Sequence, residues 1–209
     1  MNPSVRLTAC TALLVAALAG PPPVLAEWPS SPTIGVPVCV APGTQSAPRM
    51  SADGGGGAFF AWLDARLGWN DQRAYLQHLS APGNPSYATD GVPLSAYVVP
   101  EFPAITSDGA GGAFVVWRDF RADTAGNLYV QRLAPSDPAL LGTNGLPVCL
   151  GPLHETHVQV APDEAGGLFV AWFDDRDGPT GQVRAQHMSA AGALLWDAAG
   201  LVVAPGAAR

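Results

Sequence analysis

Three pentapeptides place an indole, a carboxylate and a guanidinium at alternate positions: WLDAR at 62–66, WRDFR at 117–121 and WFDDR at 172–176. In an extended strand, side chains two apart share a face. Trp62 therefore lies beside Asp64 and Arg66, Trp117 beside Asp119 and Arg121, and Trp172 beside Asp174 and Arg176. Such a set could bind a sugar, with the indole stacked on a pyranose and the charged groups on its hydroxyls. It could equally be scaffold, with the indole packed between neighbouring elements and the charges joined in a hydrogen-bonded pair. Residues common to every copy must at least serve what every copy does, so the structural role is the expectation.

The same repetition argues against catalysis. Glycoside hydrolysis needs two carboxylates in different roles, about 5–9.5 Å apart, and a nucleophilic triad needs three different groups meeting once. A catalytic group should be an exception to the repeat. A carbohydrate-active hydrolase would require non-repeated acids such as Glu101, Glu155 and Asp175 to converge. HETH at 154–157 is not a H-E-x-x-H zinc motif, because His154 and His157 stand three apart in extended chain and point different ways; a solvated connection is expected. Asp174, Asp175 and Asp177 in DDRDG supply oxygens without the spacing or distal Glu of an EF-hand. No metal or cofactor is expected. His78 and His187 occupy the position held by Arg132, which reads as an exposed strand face. Trp69, in a polar loop outside the repeat, is the better sugar-stacking candidate if exposed. Trp196 aligns with Leu141 and Tyr87 and is expected to pack.

The elements that position these residues repeat every 55 positions: Asp53, Asp108 and Asp163 keep that interval, as do the Trp, Asp and Arg sets. Each unit reads as four strands. The first runs into a turn, RMSADGGGG, AITSDGAGG or VQVAPDEAGG, where Asp53, Asp108 and Asp163 can bond nearby backbone and glycines, with Gly57, Gly112 and Gly167 closing the turn, supply positive φ. The second, AFFAWLDAR, AFVVWRDFR or LFVAWFDDR, is rich in aromatic and β-branched residues. The third aligns Gln77, Gln131 and Gln186, and the fourth follows a turn at Gly91, Gly145 and Gly200. Helical periodicity is absent. The expected organisation is a leader at 1–26, an N-terminal segment at 27–47 with an orphan fourth strand at 34–40, and units at 48–102, 103–157 and 158–209.

Tandem four-stranded antiparallel units of this length are the signature of β-propeller blades. The D-G-x-G-G, W-x-D-x-R and Y-x-Q-R series of the middle unit resembles repeats of exported bacterial propeller-type proteins, mostly uncharacterised, over roughly residues 34–204. That resemblance implies architecture and no activity. Sialidase Asp boxes read S-x-D-x-G-x-x-W; Ser51, Asp53 and Gly55 fit the start, but Trp62 comes four residues too late. Closed propellers usually have four to eight blades, so three units form an arc with apolar faces open at both ends. Self-association through those faces is expected.

Arg6, the apolar run Leu7–Ala19 and Val24-Leu25-Ala26 read as a secretory signal peptide cleaved after Ala26, giving a secreted or periplasmic protein. The chain of 209 residues carries a net charge of −7 and no Lys, which disfavours nucleic acid and anionic membrane as partners. Cys39 and Cys149 sit in matching VPVCV and LPVCL contexts; a disulfide is conceivable in an oxidising compartment, and two packed thiols are preferred because equivalent positions of non-adjacent repeats lie far apart. The functional expectation is a non-catalytic repeat module for binding or adhesion to a glycan or protein, with a propeller-fold hydrolase or an assembly fragment of a larger propeller as alternatives.

Overall fold

A computed structural model describes residues 35–98, 103–122, 126–149, 155–176, 178 and 180–204, without the side chains of 155 and 156. The first sheet contains β1 (Gln45–Ala52), β2 (Ala58–Asp64), β3 (Arg73–Leu79) and β4 (Val92–Pro93). The second contains β5 (Ala104–Ser107), β6 (Ala113–Asp119), β7 (Asn127–Leu133) and β8 (Leu146–Pro147). The third contains β9 (Glu155–Pro162), β10 (Leu168–Asp174), β11 (Gln182–Met188) and β12 (Leu201–Ala204). In each sheet the strands lie in chain order and pair antiparallel. The protein is all-β, with three four-stranded units in a partial propeller-like arrangement. Among the described residues the helical content is one 3₁₀ turn, Trp69–Asp71.

Period-two alternation gives each central strand pair two apolar faces, and neighbouring units bury them. The first core joins Phe59, Leu63 and Leu76 of unit one to Val115, Trp117 and Leu133 of unit two. The second joins Phe114, Val116 and Val130 of unit two to Leu168, Val170 and Trp172 of unit three. Unit two is thus buried on both faces. Sequestering a large side chain such as Trp117, which is fully buried, contributes about 1.5–3 kcal/mol. The Tyr87 hydroxyl ties the first two units together by donating to the Ala134 carbonyl at 2.7 Å.

Two strand boundaries differ from the sequence reading. The first strands of units one and three begin earlier, at Gln45 and Glu155, because each continues through a bulge at a positive-φ residue, Ala47 (φ 51°) and His157 (φ 55°). His157 therefore lies in a strand rather than a connection. Of residues 34–40, expected as an orphan strand, the described 35–40 form no ladder; among the described residues no third strand lies beside them, and they lie against unit one instead. Residues 1–34, with the expected leader, lie outside the described residues. No helix among the described residues is long and apolar enough to cross a membrane.

Candidate functional site

Each W-x-D-x-R set closes on itself. Trp62, Trp117 and Trp172 each donate their indole N–H to Asp64, Asp119 and Asp174, at 2.9, 2.9 and 3.1 Å. Arg66, Arg121 and Arg176 fold back on the same carboxylates: Arg66 bonds Asp64 through its backbone N–H, Nε and Nη2 at 2.9, 2.9 and 2.6 Å. Arg121 repeats this on Asp119 and Arg176 on Asp174. The three carboxylate side chains have no exposed surface. Burial pushes the Asp64 and Asp174 carboxyls up, but the bonds from Arg and Trp outweigh it and hold both below the ordinary value. Spare guanidinium donors reach the loop before the fourth strand, with Arg66 Nη2 on the Asp90 carbonyl and Arg121 Nη1 on the Asn144 carbonyl. The set is a clamp that fastens the end of the second strand to the start of the fourth. Its Trp rings are 0–4% exposed and offer no open face for a pyranose.

Cross-strand neighbours complete the clamp. Trp62 and Trp117 pair in register with Tyr75 and Tyr129, and the guanidinium carbons of Arg66 and Arg121 sit 3.9 and 3.7 Å from those ring centres. In unit three the tyrosine position is Arg184, which places a second guanidinium 3.5 Å from Asp174. Both Asp174 carboxylate oxygens are taken by these partners, so the DDRDG segment does not present a free Asp174. Asp177 lies outside the described residues.

The turn aspartates form a second repeated device. Asp53 Oδ1 accepts the N–H groups of Gly55 and Gly57, Asp108 those of Ala110 and Gly112, and Asp163 those of Ala165 and Gly167, at 2.7–2.9 Å. Gly57, Gly112 and Gly167 close the turn for a reason other than the expected one. Their φ is not positive; Gly54, Gly56, Gly109, Gly111 and Gly166 supply that, with Glu164 standing where units one and two have Gly54 and Gly109. A Cβ on any of the three would sit 2.5–2.6 Å from the Asp Oδ2, so glycine is required by close approach.

The remaining oxygen of each turn Asp meets a basic side chain, His or Arg, which the sequence reading missed. Asp53 Oδ2 lies 2.9 Å from His78 Nε2, Asp108 Oδ2 2.8 Å from Arg132 Nη2, and Asp163 Oδ2 2.8 Å from His187 Nε2. The expected exposed face is therefore corrected: His78 is buried, and all three side chains turn along the sheet into the neighbouring hairpin turn. The detectable signal was an invariant acid paired with a position that accepts only His or Arg. Burial raises the Asp53 carboxyl, and bonds from His78, Gly55 and Gly57 reverse that; burial likewise raises Asp108, and Ala110, Arg132 and Gly112 reverse it; the bond from His187 leads at Asp163. All three stand below the ordinary value, so their contribution is complete above the unfolded value of about 4 and is lost as pH falls through the folded values. Denaturation midpoints should be flat with respect to these aspartates above about pH 5 and fall below about pH 4. The Asp108→Asn variant should show a shallower acid slope than the parent, and an identical slope would remove Asp108 from the account.

Gln77, Gln131 and Gln186, all buried, hold the long third loop. Each side-chain amide donates to a loop carbonyl, of Ala88, Gly142 and Asp197, and accepts from a loop N–H, of Tyr87, Leu141 and Trp196. Trp196 packs on Phe169 and His187. Cys39 and Cys149 are not joined in a disulfide, and Cys149 packs within the second core. Trp69, by contrast, is 71% exposed. Glu101 and His154 lie outside the described residues, and Glu155 is placed only by its backbone in β9. Among the described residues, no three His, Cys, Asp or Glu side chains gather as a metal site.

Fold and repeated bonds together define a tandem β-repeat protein of partial-propeller type. No protein-family model matches this chain, and no curated protein does. A similar solved structure is a hypothetical protein from Leishmania major, with a TM-score of 0.45 and 12% identity, covering 72% of this chain and 48% of that one. This chain thus spans about half the length of that structure.

Proposed function

We propose that this protein is an exported, non-catalytic repeat module that works by binding, with a saccharide as the ligand class its exposed chemistry fits best. The observation that carries this reading is a division among side chains. The charged and amide residues common to the units are spent on bonds within the protein, whereas a residue unique to unit one, Trp69, stands open on the loop between β2 and β3. Leu67 beside it is 60% exposed, and the Arg73–Asp71 ion pair, 2.8 Å long, closes the same loop. An open indole next to fixed donors and acceptors suits a pyranose, whose one face is apolar and whose rim is hydroxylated. Export is supported by the charged, apolar and small-residue series of residues 1–26.

The reading is tested by a glycan array probed with the parent and with Trp69→Ala. The expected result is a saccharide signal that falls at least tenfold in the variant while the unfolding midpoint stays unchanged. Equal binding by the two proteins would remove this loop from the site. An array without signal, set against capture of a defined protein through the same loop, would replace the saccharide by a protein ligand.

A further inference from the structure

The units stack by one rule, and the rule is left incomplete at both ends of the row. The face of unit one carrying Phe59, Leu63 and Ala74 is covered by unit two, and the equivalent face carrying Phe114 and Leu128 is covered by unit three; these side chains are 0–3% exposed. The same positions in unit three are Phe169, Phe173 and Val183, and they are 38%, 36% and 40% exposed. This face has the residue types of a stacking face, and among the described residues no further unit is stacked on it.

At the other end, Trp62 stands where Trp117 and Trp172 are covered by a preceding unit. Here residues 36–40 take that role for Trp62, which is buried, while Met50, paired in register with Phe60 on the same face, is 63% exposed. Val38 and Cys39 line, with Phe60 and Trp62, a cleft of about 220 Å³. Two observations identify this segment as the fourth strand of a unit whose other strands are not among the described residues. Its sequence, VPVCV, matches LPVCL at 146–150, whose Val148 and Cys149 pack in one core with Trp172. Its bonding matches too: the Val40 N–H donates to Asp90 Oδ1 at 2.7 Å, as the N–H of the equivalent Ala96, just past β4, donates to the equivalent Asn144 Oδ1 at 3.1 Å. Arg66 Nη2 adds a contact to Cys39 Sγ at 3.4 Å. A fourth strand is therefore docked on unit one, and the three strands that should accompany it are not among the described residues.

We propose that those three strands are β9, β10 and β11 of a second copy of this chain. The Phe169–Phe173–Val183 face of one copy packs on the Trp62 end of the next, and residues 36–40 lie against β11 of the incoming unit. Because a sheet edge has one place for a fourth strand, β12 yields it. Residues 36–40 hold the better claim: they are already bonded to Asp90 and Arg66, and they carry Pro37 where β4 and β8 carry Pro93 and Pro147 and β12 has Val202. Leu201, Val202 and Val203 are 44%, 46% and 63% exposed, so releasing them uncovers little. Copies joined this way run head to tail, an arrangement independent of the saccharide reading.

Light scattering on a sizing column tests the assignment with the full chain. The parent should show a mass that rises with concentration in steps of one chain. Val183→Glu, on one end, and Val38→Asp, on the other, should each weaken association at least tenfold, with β-sheet circular dichroism retained. Mixing the two variants should restore a 1:1 dimer and nothing larger, since each supplies the end the other lacks. Val203→Asp, on β12, should assemble like the parent. A parent that stays monomeric, a Val183→Glu protein that associates like the parent, or a mixture that stays monomeric would overturn the head-to-tail interface. Loss of association in Val203→Asp would overturn the replacement of β12.

Discussion

Replacing Asp119 by Ala should lower the unfolding free energy by about 3–5 kcal/mol, the cost of breaking a buried, hydrogen-bonded ion pair from one side. The carboxylate has no exposed surface and accepts from the Trp117 indole, the Arg121 backbone N–H and the Arg121 guanidinium. Without it, the guanidinium keeps the Asn144 carbonyl at 2.7 Å and the aromatic rings of Tyr129, Tyr97 and Trp117. The indole N–H is left in a dry core with no acceptor, which adds to the loss. Unit two is the right place for the measurement because both of its faces are covered. Asp71→Ala, which breaks the exposed pair with Arg73, is the control and should leave the denaturation midpoint unchanged within error. Equal effects from the two substitutions would mean that the clamp is not a buried device.

Gly145→Ala should cost about 2–4 kcal/mol, combining the left-handed backbone penalty with overpacking. Gly145 has φ +68°, and a Cβ there would stand 2.5 Å from Trp117 Cη2 and press on the Val130 carbonyl. Gly91 and Gly200 meet Trp62 and Trp172 in the same way, at 2.6 and 2.5 Å. The indole is thus pinned between its own carboxylate at one edge and a glycine at the other. Gly142 separates the two causes. Its φ is +84° with open space where a Cβ would go, so Gly142→Ala should cost only the backbone part, about 1–2 kcal/mol. Thermal or urea unfolding of both variants checks the difference, and Gly142→Ala matching Gly145→Ala would show that the glycine–indole contact carries no weight.

Much of the fold was legible because period and chemistry agree. The 55-residue spacing, the apolar second strands and the Asp-Gly turns each bind residues close in sequence, so the four-strand unit and its strand order could be read directly. The structural role of W-x-D-x-R was legible for the same reason: side chains two apart on a strand must meet. The His78, Arg132 and His187 position was misread because its partner Asp lies about 25 residues away, across a hairpin the sequence does not fold. Gly57, Gly112 and Gly167 were assigned to the turn correctly and for an incomplete reason, since a close approach between Asp Oδ2 and a Cβ is visible only in three dimensions.

The sequence by itself determined the repeat, the all-β class and the residues that stabilise each unit, because those depend on local periodicity and on contacts within one hairpin or between adjacent strands. Tertiary structure alone decided which faces are covered. Burial of Trp117 and exposure of Phe173 follow from what stacks on each sheet, and unit three carries the same types of residue as units one and two with no fourth unit among the described residues to hide them. The place of residues 36–40 was decided in the same way: a strand-like sequence without three companion strands cannot form a ladder, and it docks where a fourth strand would have lain.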